Sequence, residues 1–170
     1  MNSNIKTMKI IKCKDVRTPE IGRLNDCGYD MFVPNDFKKQ ILKPHQQIKI
    51  PLGIKFNIQN GYGLFCFDRS SVSTKIGLKV IAPVIDPSYI GEISACVFNY
   101  TNKDVELNPG MKIIQLVLLK YEKPQLEVVE DFGIKTERGE KGFGSTGNNS
   151  NNTNKFSFKK NNKTVEIIII

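Results

Sequence analysis

Between residues 48 and 58 the chain reads IKIPLGIKFNI, with Ile48, Ile50, Leu52, Ile54, Phe56 and Ile58 at every second position and lysine, proline, glycine and asparagine between them. A side-chain period of two belongs to a strand with one buried face; the apolar positions of a helix recur every three or four residues. Further extended segments are MKIIKC (8–13), YGLFCF (62–67), LKVIAPVI (78–85), GEISACVFNY (91–100), MKIIQLVLLKY (111–121) and QLEVV (125–129). Turn formers such as Gln59-Asn60-Gly61 and Asn108-Pro109-Gly110 separate them. Only residues 70–76 suggest a helical turn. Many short strands with glycine and proline punctuation predict an all-β chain, an antiparallel, jelly-roll-like β-barrel with little helix.

The 170 residues suit one domain with appended segments, and the formal charge is +8. From Asn148 onward the composition turns to asparagine, lysine and serine, which reads as a disordered tail; its last residues, TVEIIII, form a β-prone patch. Four lysines against Glu166 give residues 148–170 a charge of +3 and leave +5 on the remainder. That balance suits a polyanionic ligand, nucleic acid or a nucleotide, although a solvated lysine-rich surface is the commoner cause; nothing in the sequence supports nucleic-acid contact by the tail beyond its charge. Cys13, Cys27, Cys66 and Cys96 are widely spaced and accompanied by the single histidine His45, which leaves no Cys/His zinc site. The cysteines read as reduced. With no signal-peptide core and no membrane-length apolar run, the expectation is a soluble, intracellular protein.

Residues 138–147, RGEKGFGSTG, hold four glycines, an arginine, a phenylalanine and a Ser-Thr pair. Gly142 to Gly147 also satisfy G-x-G-x-x-G, but that dinucleotide fingerprint must follow a strand and open a helix, and here it runs into NNSNNTNK. The segment makes better sense as a mobile phosphate grip: Arg138 as a fork for phosphate oxygens, hydroxyls from Ser145 and Thr146, and Phe143 as a stacking plate. In VIDPSYIGEI (84–93), Pro87 favours a tight turn that carries Asp86 and Tyr89. A carboxylate there can orient and deprotonate a water, and a tyrosine ring under a sugar can exclude a 2′-hydroxyl; an ordinary surface turn is the alternative. DRSS (68–71) offers Arg69, Ser70 and Ser71 at a strand end. In CGYDMF (27–32), Asp30 either holds a metal-bound water or caps a turn. Gln115, inside an apolar run, needs hydrogen-bond partners if buried.

CGYDMF, DRSS, VIDPSYIGE, PGMKIIQL and RGEKGFGSTG occur in this order, and over residues 8–147 the chain closely resembles the trimeric dUTP diphosphatase (dUTPase) family. The resemblance implies a jelly-roll subunit over residues 1–134, a glycine-rich arm over 135–147 that closes the active site, and a tail over 148–170. It implies a homotrimer with active sites at subunit interfaces and Mg²⁺-dependent hydrolysis of dUTP to dUMP and pyrophosphate. By the same carry-over Asp86 activates the water and Gln115 helps to place it. Tyr89 lies under the deoxyribose, and Arg69, Ser70 and Ser71 take phosphate. Phe143 stacks on uracil, while Arg138, Gly144, Ser145 and Thr146 complete the grip of the arm. No direct metal ligand is expected: the triphosphate and water hold Mg²⁺, with Asp30 a candidate for its water shell. This chain departs from the family pattern at Pro83, where a glycine is usual in the hairpin that reads uracil, at Lys112, where an arginine is usual, and in its 23 residues after the arm. A dCTP deaminase-type enzyme of the same fold and a non-catalytic dUTPase-derived binding protein are the alternatives.

Overall fold

The computed structural model describes residues 7–142, 155–160 and 163–168. The chain divides into two compact units, Met1–Pro124 and Gln125–Ile170. The first contains twelve strands: β1 (Ile10–Lys12), β2 (Glu20–Ile21), β3 (Tyr29–Phe32), β4 (Gln40–Leu42), β5 (Gln47–Pro51), β6 (Ile54–Phe56), β7 (Tyr62–Asp68), β8 (Leu78–Val80), β9 (Val84–Ile85), β10 (Ser94–Asn99), β11 (Val105–Leu107) and β12 (Lys112–Lys120). Among the described residues of the first unit the helical element is one π-helical turn, Val72–Ile76, where the sequence suggested a turn of helix.

All strand pairings among the described residues are antiparallel. The largest sheet runs β2-β3-β12-β7-β9, a second runs β5-β10-β8, and β1-β6 and β4-β11 form two-stranded ribbons. The alternation that opened the sequence reading survives in the packing: Ile50, Leu52, Ile54, Phe56 and Ile58 are buried. Its ladder does not run unbroken. Gly53 adopts φ 69°, a left-handed geometry that glycine reaches without steric cost, and it divides β5 from β6. Likewise LKVIAPVI splits into β8 and β9 around Ala82-Pro83. On β12 a register shift between Lys112 and Ile114 turns both Ile113 and Ile114 inward, where strict alternation would bury one of them. Together with Met31, Phe32, Leu64, Leu107 and Leu116 they form one continuous core.

In the second unit, QLEVV makes no strand: Leu126 and Val128 are exposed. The tail, expected to be disordered, contains β13 (Lys155–Lys160) and β14 (Lys163–Ile168), an antiparallel pair that sets Phe156 opposite Ile167 and Phe158 opposite Val165. Composition hid this. KFSFKK alternates at a period of two and provides a partner for the β-prone patch, although asparagine and lysine surround both.

Candidate active site

The main sheet places β3, β12 and β7 side by side, so that Asp30 lies opposite Gln115 and Gln115 opposite Phe67. Arg69 follows the end of β7, and Ser70 and Ser71 lead into the π-helical turn. These elements line a cleft of about 520 Å³ that holds Asp30, Arg69, Ser70, Ser71, Lys112 and Gln115.

Asp30 organises it. The residue is 7% exposed, and burial of a charge demands partners. Arg69 Nε donates to Asp30 Oδ1 at 2.6 Å and Arg69 Nη2 to Oδ2 at 3.2 Å; Lys112 Nζ reaches Oδ2 at 2.9 Å. Burial pulls the Asp30 carboxyl upward, but the hydrogen bonds from Arg69 and Lys112 outweigh it and hold the group below its ordinary value. Lys112 also meets Glu20 Oε1 at 2.8 Å. Its ammonium is held above its ordinary value by the hydrogen bonds to Glu20 and Asp30. The lysine that replaces the arginine usual in the resemblance thus still belongs to the ion-pair network. With its Nε and Nη2 edge bound to Asp30, Arg69 presents Nη1 toward Ser71 Oγ, at a long 3.5 Å.

Gln115 finds its partner in the backbone: Nε2 donates to the carbonyl of Asp68 at 2.9 Å. Its Oε1 packs against Gly28, where any Cβ would overlap the amide. The glycine of CGYDMF is there for this close approach. The Asp68 carboxylate ties β7 to β8, accepting from Lys79 Nζ at 2.5 Å and from the backbone N–H of Val80 at 2.7 Å.

Asp86 and Tyr89 stand elsewhere, in a smaller cleft of about 230 Å³ with Val84, Ile85, Ile93 and Ser94. The turn after β9 is closed by Tyr89 N–H to the Asp86 carbonyl at 3.1 Å. The tyrosine ring folds over Gly91, where a Cβ would meet the ring at 2.6 Å, and its hydroxyl donates to the Glu92 carbonyl at 2.8 Å. Pro83 has no N–H, yet its carbonyl accepts from Cys66 N–H at 2.7 Å, so the hairpin remains pinned to β7.

The strand β7 measures the gap between the two clefts. Leu64 pairs with Ile85, which sets Asp86 level with Gly63, while Arg69 lies just past the opposite end. Six residues at roughly 3.3 Å each place the backbone positions of the two about 20 Å apart along the strand. One chain therefore gathers Asp30, Arg69, Ser70, Ser71 and Gln115, and separately Asp86 with Tyr89. In the second unit the Arg138 guanidinium donates to the carbonyls of Lys141 at 2.8 Å and Gly142 at 3.2 Å. Phe143, Gly144, Ser145 and Thr146 lie outside the described residues.

The sequence reading missed Glu20 and the structural duty of Asp68, and it gave Lys112 no place in the site. Neither acid stands in a motif that points to its partner, because both pairings depend on which strands become neighbours.

The fold is that of solved phage dUTPases. A Staphylococcus bacteriophage 80alpha dUTPase mutant with dUpNHpp superimposes with a TM-score of 0.74 at 28% identity, covering 83% of this chain and 98% of that one. A family model described as dUTPase matches residues 14–147, and the chain belongs to the dUTPase family. Its relatives include a deoxyuridine 5′-triphosphate nucleotidohydrolase of Finegoldia magna, 35% identical over 144 residues that cover 82% of this chain and 98% of the relative. Another, of Orientia tsutsugamushi strain Ikeda, is 42% identical over 109 residues, 63% of this chain and 73% of the relative. A phage phi11 dUTPase mutant, 24% identical with a TM-score of 0.67 over 76% of this chain and all of that one, is described with a structural Mg(II) ion.

Proposed function

We propose that the chain is a dUTP diphosphatase that hydrolyses dUTP to dUMP and pyrophosphate in an active site completed between copies of a homotrimer. The observation that carries this reading, in a member of the dUTPase family, is the separation of the two clefts along β7. A water held by Asp86 cannot reach an α-phosphorus held by Arg69 of the same chain across about 20 Å, whereas a neighbouring copy can supply the missing half. An unpartnered apolar face on the main sheet supports association: Phe67 is 44%, Val84 59% and Leu119 40% exposed. The register places Phe65 beside Val84 and Val117 on that sheet.

In the assembled site the Asp86 carboxylate takes a proton from water as the water oxygen bonds to the α-phosphorus. The bond from that phosphorus to the bridging oxygen breaks, and its electron pair leaves with pyrophosphate. Gln115, held by the Asp68 carbonyl, directs its Oε1 to the water. Arg69, aligned by Asp30, and the Ser70 and Ser71 hydroxyls bind phosphate oxygens. Tyr89 packs beneath the deoxyribose and leaves no room for a 2′-hydroxyl. The arm, residues 135–147, closes with Arg138, Ser145 and Thr146 on the terminal phosphate, Gly144 beside it and Phe143 on the uracil.

The donor set fits a metal that arrives with the nucleotide. Among the described residues no group of three or more histidine, cysteine, aspartate or glutamate side chains could cage an ion, and both Asp30 oxygens already accept from cations. Mg²⁺ coordinated by the triphosphate and water supplies charge neutralisation and a fixed phosphate conformation. No described helix is long and apolar enough to cross a membrane.

Pyrophosphate release with Mg²⁺ from dUTP, dCTP, dTTP and UTP tests the reading. Turnover confined to dUTP and abolished in Asp86→Asn is expected; a wild-type chain inert toward dUTP would refute it.

A further inference from the structure

The cleft that holds Arg69 carries a second arginine with no assigned task. Arg23 lies in the loop between β2 and β3 and lines the same cavity as Arg69, Lys112 and Gln115. The turn that carries it is closed by Asp26 N–H to the Arg23 carbonyl at 2.9 Å. The same loop ends at Gly28, against the Gln115 amide.

The cleft's cations are not equivalent. Asp30 accepts from Arg69 and Lys112, and Glu20 gives Lys112 a second partner. The Arg23 guanidinium has no hydrogen-bond or ion-pair partner among the described residues. Asp26, the other acid lining the cleft, sits at the base of the turn, with Oδ2 3.2 Å from where a Gly22 Cβ would stand. A cleft built to bind a triphosphate must offset three to four negative charges, and a guanidinium with all five donors unused is matched to phosphate oxygens in pairs.

We propose that Arg23 binds the phosphate chain of dUTP beyond the α-phosphate, as a specificity residue that distinguishes the triphosphate from the monophosphate product. The inference rests on the dUTPase reading of the same site. On that reading Gln115, Arg69, Ser70 and Ser71 serve the α-phosphate and the attacking water, which leaves Arg23, on the loop lining the same cleft, for the phosphates beyond it. Substrate and pyrophosphate would gain this contact and dUMP would not, so release of dUMP is not slowed by it.

The test compares Arg23→Ala, Arg23→Gln and Arg23→Lys with the wild-type chain, each checked by thermal melting. In steady-state assays of dUTP with Mg²⁺, KM is expected to rise roughly ten- to hundredfold in the alanine and glutamine variants, as loss of a charge-assisted contact implies. Inhibition by tripolyphosphate should weaken by a similar factor and inhibition by dUMP should stay unchanged. Arg23→Lys should recover part of the loss, since it restores the charge without the planar fork. An unchanged KM in an active enzyme, or equal weakening of dUMP inhibition, would overturn the role of Arg23 and leave the dUTPase reading intact. If the wild-type chain does not turn over dUTP, that reading falls first. Calorimetric binding of tripolyphosphate then decides for Arg23: weaker binding by Arg23→Ala sustains the assignment, and equal binding refutes it.

Discussion

If a complete site forms only between chains, two inactive variants should restore each other. Arg69→Ala destroys the phosphate cleft but leaves the turn with Asp86 and Tyr89 untouched, and the Asp30 carboxylate keeps Lys112 at 2.9 Å, so it is not left without a partner. Asp86→Asn disables the other cleft and spares Arg69. The two lesions lie about 20 Å apart along β7 and do not perturb each other. In homotrimers assembled at random from equal amounts, a site works when its cleft comes from an Asp86→Asn chain and its aspartate from an Arg69→Ala chain. Each condition is met half the time, so about one quarter of the sites recover, in any closed ring where neighbours share a site. The assay is pyrophosphate release after the variants are co-refolded, with each variant refolded alone as background. Recovery near a quarter of the wild-type rate is expected. A mixture no more active than its parents, in particles shown by mass to contain both chains, would refute the shared site.

Further substitutions address single contacts. Gly28→Ala pushes a methyl into the Gln115 amide and breaks its bond to the Asp68 carbonyl; kcat should fall roughly tenfold and stability by about 1–2 kcal/mol, read from rates and denaturant melts. Asp30→Asn removes the acceptor shared by Arg69 and Lys112 and should lower stability by about 2–3 kcal/mol, with a melting temperature lower by roughly 5–10 °C. Because the folded-state carboxyl of Asp30 is held below the ordinary 3.8, its stabilisation is fully present above that pH and is lost as the pH falls below it. Thermal melts below about pH 4 should therefore decline more steeply for the wild-type chain than for Asp30→Asn. Tyr89→Ala should raise the ratio of UTP to dUTP hydrolysis, whereas Tyr89→Phe, which loses only the bond to the Glu92 carbonyl, should preserve discrimination. The Cys66 thiol, pushed up to about 12 chiefly by burial and further by neighbouring Cys96, should resist alkylation at pH 8 until the chain unfolds, while exposed Cys13 and Cys27 react at once.

The fold was legible in the sequence wherever one face of a strand meets the core. Ile48 to Ile58 announced its own burial, and YGLFCF and MKIIQLVLLKY became β7 and β12. Short strands escaped: β2 has two residues and β4 three, too few for a period to show; β2 exists because the longer β3 offers it hydrogen bonds, and β4 because the equally short β11, distant in sequence, pairs with it. The candidate site residues stand in motifs that the sequence displays. Their division into two clefts was not legible there, since it depends on the pairing of Leu64 with Ile85. Glu20 and Lys112 illustrate the same limit, being 92 positions apart in the chain and 2.8 Å apart in space. In the tail, asparagine and lysine masked two runs that suit each other as strands.

Strand β7 also constrains how this chain can change over generations. One of its ends bears Arg69, and the hairpin laid along the other bears Asp86, so adding or removing a pair of residues would shift one half of the site against the other in every copy at once. On the shared-site reading, a change of length is expected to be tolerated in the loops and not in β7. On that reading the length of β7 is under the same constraint as the residues at its ends.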